Sequence, residues 1–204
     1  MNRPILTLEE AKALPGVADL LKEGPVFLGI RGYFKNEYAG KELRGVYEDA
    51  AALIGPKDEF RTYNWNTMPS ITQPGMAVLQ PGTYKWTKGI HGQHHINKAI
   101  PADVLAMKWL EAHVGADHPD PKYRLTYWAF RQDSDMMVLR DGKTAPEIAP
   151  IDSYIDGHHG GLYGTSSEAC QTVPVEQWLD MRNVGYHLMD VYNTKTINYH
   201  LIFQ

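Results

Sequence analysis

Apolar and polar positions along this chain follow two different periods, and the changes from one to the other outline its elements. Thr7-Leu8-Glu9-Glu10 has the order of a capping box, with Thr7 as N-cap and Glu10 reaching back to it. Leu8, Ala11 and Leu14 follow at helical spacing until Pro15-Gly16 interrupts them, and Leu20 and Leu21 belong to a second short turn ended by Gly24-Pro25. Val26 to Ile30 is an apolar run bounded by proline and glycine, the pattern of a buried strand. Val46 to Ile54 reads as a short helical stretch closed by Gly55-Pro56.

The next region is rich in turn residues, among them Asn64, Asn66, Pro69, Pro74-Gly75 and Pro81-Gly82. Between them, Met76 to Leu79 and Thr83 to Trp86 are short strand candidates spaced like an antiparallel meander. Pro101 can open a helix over Ala102 to Ala112, carrying Val104, Leu105 and Trp109, before a polar loop from His113 to Pro121. Tyr123 to Phe130 and Met136 to Arg140 read as strands, with Asp141-Gly142 as a hairpin signal after the second. Pro174 starts the longest helix, which runs to about Tyr192 and contains an unfavourable Gly185. Thr196 to Leu201 alternates as a final strand. No repeat, low-complexity tract or linker divides residues 1–204, so the expected fold is one α+β domain, rich in strands, with a few peripheral helices.

Composition narrows the function classes. The 204 residues suffice for one domain with a sizeable core. A formal net charge of -4, with lysines and arginines scattered, leaves no footprint for nucleic acid. No apolar stretch is long enough for a membrane helix, so no membrane insertion is expected. The start, MNRPILTLEEAKALPG, lacks the apolar core of a secretory signal; the expectation is synthesis in the cytoplasm. One cysteine, Cys170, cannot form an internal disulfide. A lone cysteine is ordinarily a small buried hydrophobe, and only its neighbours argue otherwise.

Those neighbours are unusual. Asp156 to Gln177 reads DGHHGGLYGTSSEACQTVPVEQ, with glycines around a histidine pair, then a Thr-Ser-Ser run, then the thiol. Glycine lets a substrate approach the main chain closely, and a glycine-rich loop ahead of a helix leaves N–H groups to face an oxyanion. Cysteine catalysis also needs an imidazole base, which His158 or His159 can supply. Adjacent residues on a strand point to opposite faces, so only one of the two is expected to reach the thiol.

In the order His158-x-Gly160…Ser167-x-x-Cys170, this segment resembles the catalytic signature of the L,D-transpeptidases. It is closest to a phage and prophage branch, to which Gly160-Gly161, Thr165-Ser166-Ser167, Cys170-Gln171-Thr172-Val173 and Gln177-Trp178 correspond. Shorter pieces upstream are also similar: Gly29 to Tyr33, Gly45 to Asp49, Asn66 to Ser70, Gly89 to Gly92 and Val138 to Gly142. The resemblance implies a β-rich catalytic domain in which Cys170 attacks a peptidoglycan stem-peptide carbonyl and His158 is the base. Ser167, His91, His159, Gln171 and Gly160 are then substrate-side residues. No cofactor and no metal are implied. Hydrolysis is favoured over transpeptidation, as in a phage endolysin that degrades the cell wall after release or export. The chain departs from the pattern at Ala169, where glycine is usual, at Asp156-Gly157 and His159, and at Gln171, where arginine commonly follows the cysteine.

Two rivals remain. A wall-binding module could keep the fold without useful chemistry, and thiol reactivity separates the two: an activated Cys170 is expected to alkylate well below pH 8. A zinc hydrolase using His91, His94 and His95 is the third reading, although H-x-x-H-H lacks the glutamate and spacing of a zincin helix.

Overall fold

The capping box forms as its residue order requires: Thr7 Oγ1 accepts the Glu10 N–H at 3.2 Å, and the Glu10 carboxylate accepts the Thr7 N–H at 2.8 Å. The computed structural model describes residues 3–34, 43–91, 127–161, 164–165 and 167–204. Two short helices, α1 (Leu8–Ala13) and α2 (Val17–Glu23), lead into β1 (Val26–Arg31), β2 (Asp49–Ile54) and β3 (Phe60–Trp65). Then come β4 (Ala77–Leu79), β5 (Gly82–His91), β6 (Tyr127–Gln132), β7 (Met136–Arg140) and β8 (Glu147–Ala149). The chain closes with β9 (Gly157–His159), β10 (Gln171–Val173), α3 (Val175–Val191) and β11 (Thr196–Phe203). It is an α+β arrangement dominated by strands.

Eight strands form one mixed sheet in the order β10-β9-β6-β5-β11-β1-β2-β3. β1 lies at its interior, parallel to β11 and antiparallel to β2. Every residue of β1 is buried, which its unbroken apolar run anticipates. Val26, Leu28 and Ile30 pack under α1 and α2 with Ala11, Val17 and Leu21. Phe27 faces the other way, into an aromatic core where Trp86 stacks on Tyr199 at 3.8 Å and Phe27 meets both rings edge-on. α3 covers that face with Trp178, Met181, Leu188 and Met189.

Several expectations change. The stretch from Val46 to Ile54 is not helical: Asp49–Ile54 is β2, fully buried between β1 and β3. Its alanines have high helix propensity, but here their small side chains let Ala50 and Ala52 pack under one helical layer and Ala51 under the other. Tertiary packing overrides the local preference. β4 and β5 do not form a meander either. β4 pairs with β7 in a separate sheet, β4-β7-β8, whereas β5 lies between β6 and β11. β3 runs through a segment that reads as turns in the sequence.

The Asp141-Gly142 turn is present, with Lys143 N–H donating to the Arg140 carbonyl at 2.9 Å, and it opens a connection to the antiparallel β8. The predicted helix at 102–112, the loop at 113–121 and the first residues of the predicted strand at 123–130 lie outside the described residues, as do Trp109, His94 and His95. Among the described residues no helix is long and apolar enough to cross a membrane.

Candidate active site

β9 is three residues long, and its register explains the direction of each histidine. Gly157 pairs with Phe130 of β6 and with Gln171 of β10, while His158 pairs with Thr172. A Cβ at Gly157 would come within 2.9 Å of the Trp86 ring, so only glycine lets the strand lie this close to the core. Successive side chains then alternate. His158 faces a cleft, and His159 turns to the other face, its ring 6.2 Å from Trp178.

The cleft has a volume of about 650 Å³ and is lined by Cys170, His158, His91, Ser167 and Tyr154, among others. Among the lining residues, ring nitrogens of His91 and His158 and the Cys170 sulfur lie within 4.8 Å of one another. The two imidazoles are in contact, with centroids 4.6 Å apart. His91 is the last residue of β5, and Cys170 immediately precedes β10, so three separate elements deliver these groups. His158 Nδ1 lies 2.6 Å from the His159 carbonyl, an acceptor. The Nδ1 proton therefore sits there, and Nε2 is the basic nitrogen.

Burial sets the charge state of both central groups. His158 is 2% exposed, and burial, then the neighbouring His91 and His159, hold its pKa well below the ordinary histidine value. Burial pushes the Cys170 thiol up to about 12, and the Asp156 carboxylate adds to the shift. The thiol donates to the Tyr154 carbonyl at 3.3 Å and accepts the Asp156 N–H at 3.5 Å. At neutral pH the resting pair is therefore a thiol and a neutral imidazole. Desolvation outweighs the N–H donor that favours the thiolate.

The loop before Cys170 is laced to distant segments. Ser167 Oγ donates to the Cys170 carbonyl at 2.5 Å, and Ser167 N–H donates to Ser70 Oγ at 2.6 Å. Ser70 N–H returns a bond to the Ser167 carbonyl at 2.8 Å, and Ala77 N–H donates to the Glu168 carbonyl at 3.0 Å. Among the described residues, the N–H groups of Ala169 and Cys170 meet no acceptor, and both residues line the cleft. These are the donors available to an oxyanion.

Three of the expected substrate residues are not in the cleft lining, each for a clear reason. Gln171 is fully buried; its amide donates to the Ala169 carbonyl at 3.0 Å and accepts the Tyr199 hydroxyl at 3.1 Å. It ties the loop to the aromatic core instead of meeting a ligand. At Gly160 a Cβ would fall 2.3 Å from the Tyr47 hydroxyl, which donates to the Gly161 carbonyl at 2.8 Å. Gly160 is thus where Tyr47 crosses the loop. His159, on the far face of β9, is likewise not among the residues lining the cleft. Ser167 and His91 are brought to it.

Tyr154 and Arg131 escaped the sequence reading, and Asp156 entered it only as a departure from the resembled pattern. Tyr154 lines the cleft with φ 60, a left-handed conformation costly for a bulky side chain, and this geometry aims its carbonyl at the thiol. Arg131 lies 4.6 Å over the Tyr154 ring and pairs with the fully buried Asp156 at 3.0 Å. Asp156 also accepts the Gln132 N–H at 3.1 Å. Only the position of Asp156, two residues before His158, hinted at any of this; Arg131 is an isolated charge in a strand.

His91, His158 and Cys170 are also the donors that a metal would find here. Tetrahedral coordination with bonds of about 2.0–2.3 Å sets donors roughly 3.5 Å apart, inside the 4.8 Å that bounds this trio. His94 and His95 of the zinc reading lie outside the described residues.

Comparison of the chain with protein-family models, with curated proteins and with solved structures finds no match.

Proposed function

We propose that this protein is a cysteine-nucleophile acyl-transfer enzyme of L,D-transpeptidase-like type, acting on a peptidoglycan stem peptide and finishing by hydrolysis. The observation that carries the reading is the meeting of Cys170, His158 and His91 within 4.8 Å on the wall of an open cleft. Three side chains from separate elements converge where a ligand can enter, and two belong to the signature that prompted the resemblance.

The resting protonation states define the mode of action. With the thiol neutral and His158 neutral, the base acts as attack occurs. Cys170 Sγ bonds to the substrate carbonyl carbon while its proton passes to His158 Nε2. The carbonyl electron pair moves to oxygen, for which the unbonded Ala169 and Cys170 N–H groups are the donors on this loop. Collapse of this intermediate expels the amine, which takes the proton from His158. A thioester remains, and water cleaves it to a carboxylic acid and regenerates the thiol. The His158 Nδ1 bond to the His159 carbonyl keeps the ring in the tautomer these steps need.

A second reading rests on two features of Cys170 and its neighbour. A thiol pushed up to about 12, beside Ala169 where the resembled pattern has glycine, suits a wall-binding domain that keeps the fold with little chemistry. Mass spectrometry of peptidoglycan fragments separates the two. The enzyme reading expects cleaved stem peptides with the natural chain and none with Cys170→Ala. Unchanged profiles for both proteins on several wall chemistries, together with retained binding, would reject it in favour of the module.

A further inference from the structure

The trio in the cleft is a ligand set as well as a reaction geometry. His91, His158 and Cys170 each present one donor atom, and the three donors lie within 4.8 Å of one another. They come from the end of β5, from β9 and from the residue before β10, so one sheet fixes all three backbone positions. A sulfur with two imidazole nitrogens is a borderline-soft set. The cluster contains no carboxylate, so it suits zinc and not magnesium or calcium, which take oxygen ligands. All three residues line the cleft, and a tetrahedral ion held by them turns its fourth position toward the cavity.

The partners behind the donors fit the same purpose. A zinc-bound imidazole characteristically donates its other N–H to a backbone carbonyl or a carboxylate, which fixes the tautomer and the direction of the ligating nitrogen. His158 has this arrangement: Nδ1 lies 2.6 Å from the His159 carbonyl, and Nε2 carries the lone pair. The Asp156 N–H reaches Cys170 Sγ at 3.5 Å, a bond that a metal-bound thiolate keeps. The His91 ring already touches that of His158, with centroids 4.6 Å apart.

We propose that His91, His158 and Cys170 form a zinc site with two histidines and one cysteine, and that the bound ion takes Cys170 out of acyl transfer. On binding, one Zn–S and two Zn–N bonds replace bonds from zinc to water. The thiol proton leaves to solvent, and nothing is oxidised or reduced. The site stands on the cluster alone; its blocking role rests on the enzyme reading. The ion occupies both the sulfur that would attack a carbonyl and the His158 nitrogen that would take the proton, so the loaded chain has neither nucleophile nor base. A chelator restores both.

The test uses the full natural chain, stripped of metal by chelator. Competition against a chromophoric chelator should give one zinc per chain with a dissociation constant below about 1 μM. Cobalt(II) in place of zinc should show a thiolate-to-metal charge-transfer band and the intense visible absorption of a tetrahedral site. Cys170→Ala should abolish that band. His91→Asn should weaken zinc by more than about a hundredfold, beyond the cost of losing an outer partner. If His91→Asn does not fold, the cobalt spectrum of the natural chain decides alone. One equivalent of zinc should stop alkylation of Cys170 by iodoacetamide at pH 9, and chelator should restore it. A cobalt complex without the thiolate band, or alkylation unchanged at saturating zinc, overturns the site. Turnover separates the two readings. Zinc that binds and shields the thiol of a chain with no turnover upholds the site and rejects the enzyme. Turnover that saturating zinc leaves unchanged or raises upholds an enzyme and overturns the block.

Discussion

At the scale of single residues, burial moves the two central groups in opposite directions, and both movements favour the uncharged form. Desolvation raises an acid and lowers a base, so Cys170 keeps its proton to about pH 12 while His158 resists taking one. The Asp156 carboxylate reinforces the first shift and His91 the second. The sign has a direct consequence. Below about pH 12 the thiolate fraction rises tenfold per pH unit, so alkylation by iodoacetamide should climb steadily from pH 8 to 11 without levelling. At pH 7 it should run roughly a hundredfold slower than that of a free cysteine, after allowing for the greater nucleophilicity of a more basic thiolate. Rates followed by intact-mass spectrometry check this; a plateau below pH 9 would show an activated thiolate instead.

At the scale of elements, short strands hold the site by being tied to something larger. β9 and β10 have three residues each, too few to stand alone, and both are fixed by long-range bonds. Asn66 and Thr172 exchange backbone bonds at 2.8 and 3.0 Å, anchoring β10 beyond its parallel partner. α3 presses on the same region, and its Gly185 is explained by contact: a Cβ there would lie 2.4 Å from Phe130 Cζ. The residue that weakens the helix pattern is what allows the helix to approach the sheet. Gly185→Ala should therefore destabilise the protein by about 1–3 kcal/mol despite alanine's better helix propensity, as read from urea denaturation.

At the scale of the whole molecule, the site depends on contacts between segments far apart in sequence. The Arg131–Asp156 pair joins β6 to the segment that enters β9, with Asp156 fully buried and Arg131 only 15% exposed. Removing one partner leaves the other charge stranded in a poorly solvated place. Arg131→Met should cost about 3 kcal/mol of stability by chemical denaturation, and the double variant with Asp156→Leu should recover part of that loss. Residues from several upstream segments gather around the same region. Tyr47 crosses the glycine loop, Asn66 and Ser70 brace β10 and the Ser167 turn, and Arg140 lines the cleft. Several of these pieces act as supports for the site, which a list of candidate ligand contacts does not reveal.

What the sequence determined by itself was local. The Thr7 cap, the buried run of β1, the helix after Pro174 and the final strand follow from residue order, because each rests on bonds or periodicity within a few positions. The grouping of Cys170 with His158 was legible for the same reason: the two stand twelve positions apart, with a run of glycines and serines between them. Only the tertiary structure decided the rest. Whether Asp49–Ile54 is helix or strand turned on two layers closing over its alanines. Which histidine faces the thiol turned on the register of β9, and the inward turn of Gln171 on the aromatic core behind it. The neutral state of the thiol came from burial, a property of the assembled cleft that no neighbouring residue in the chain encodes.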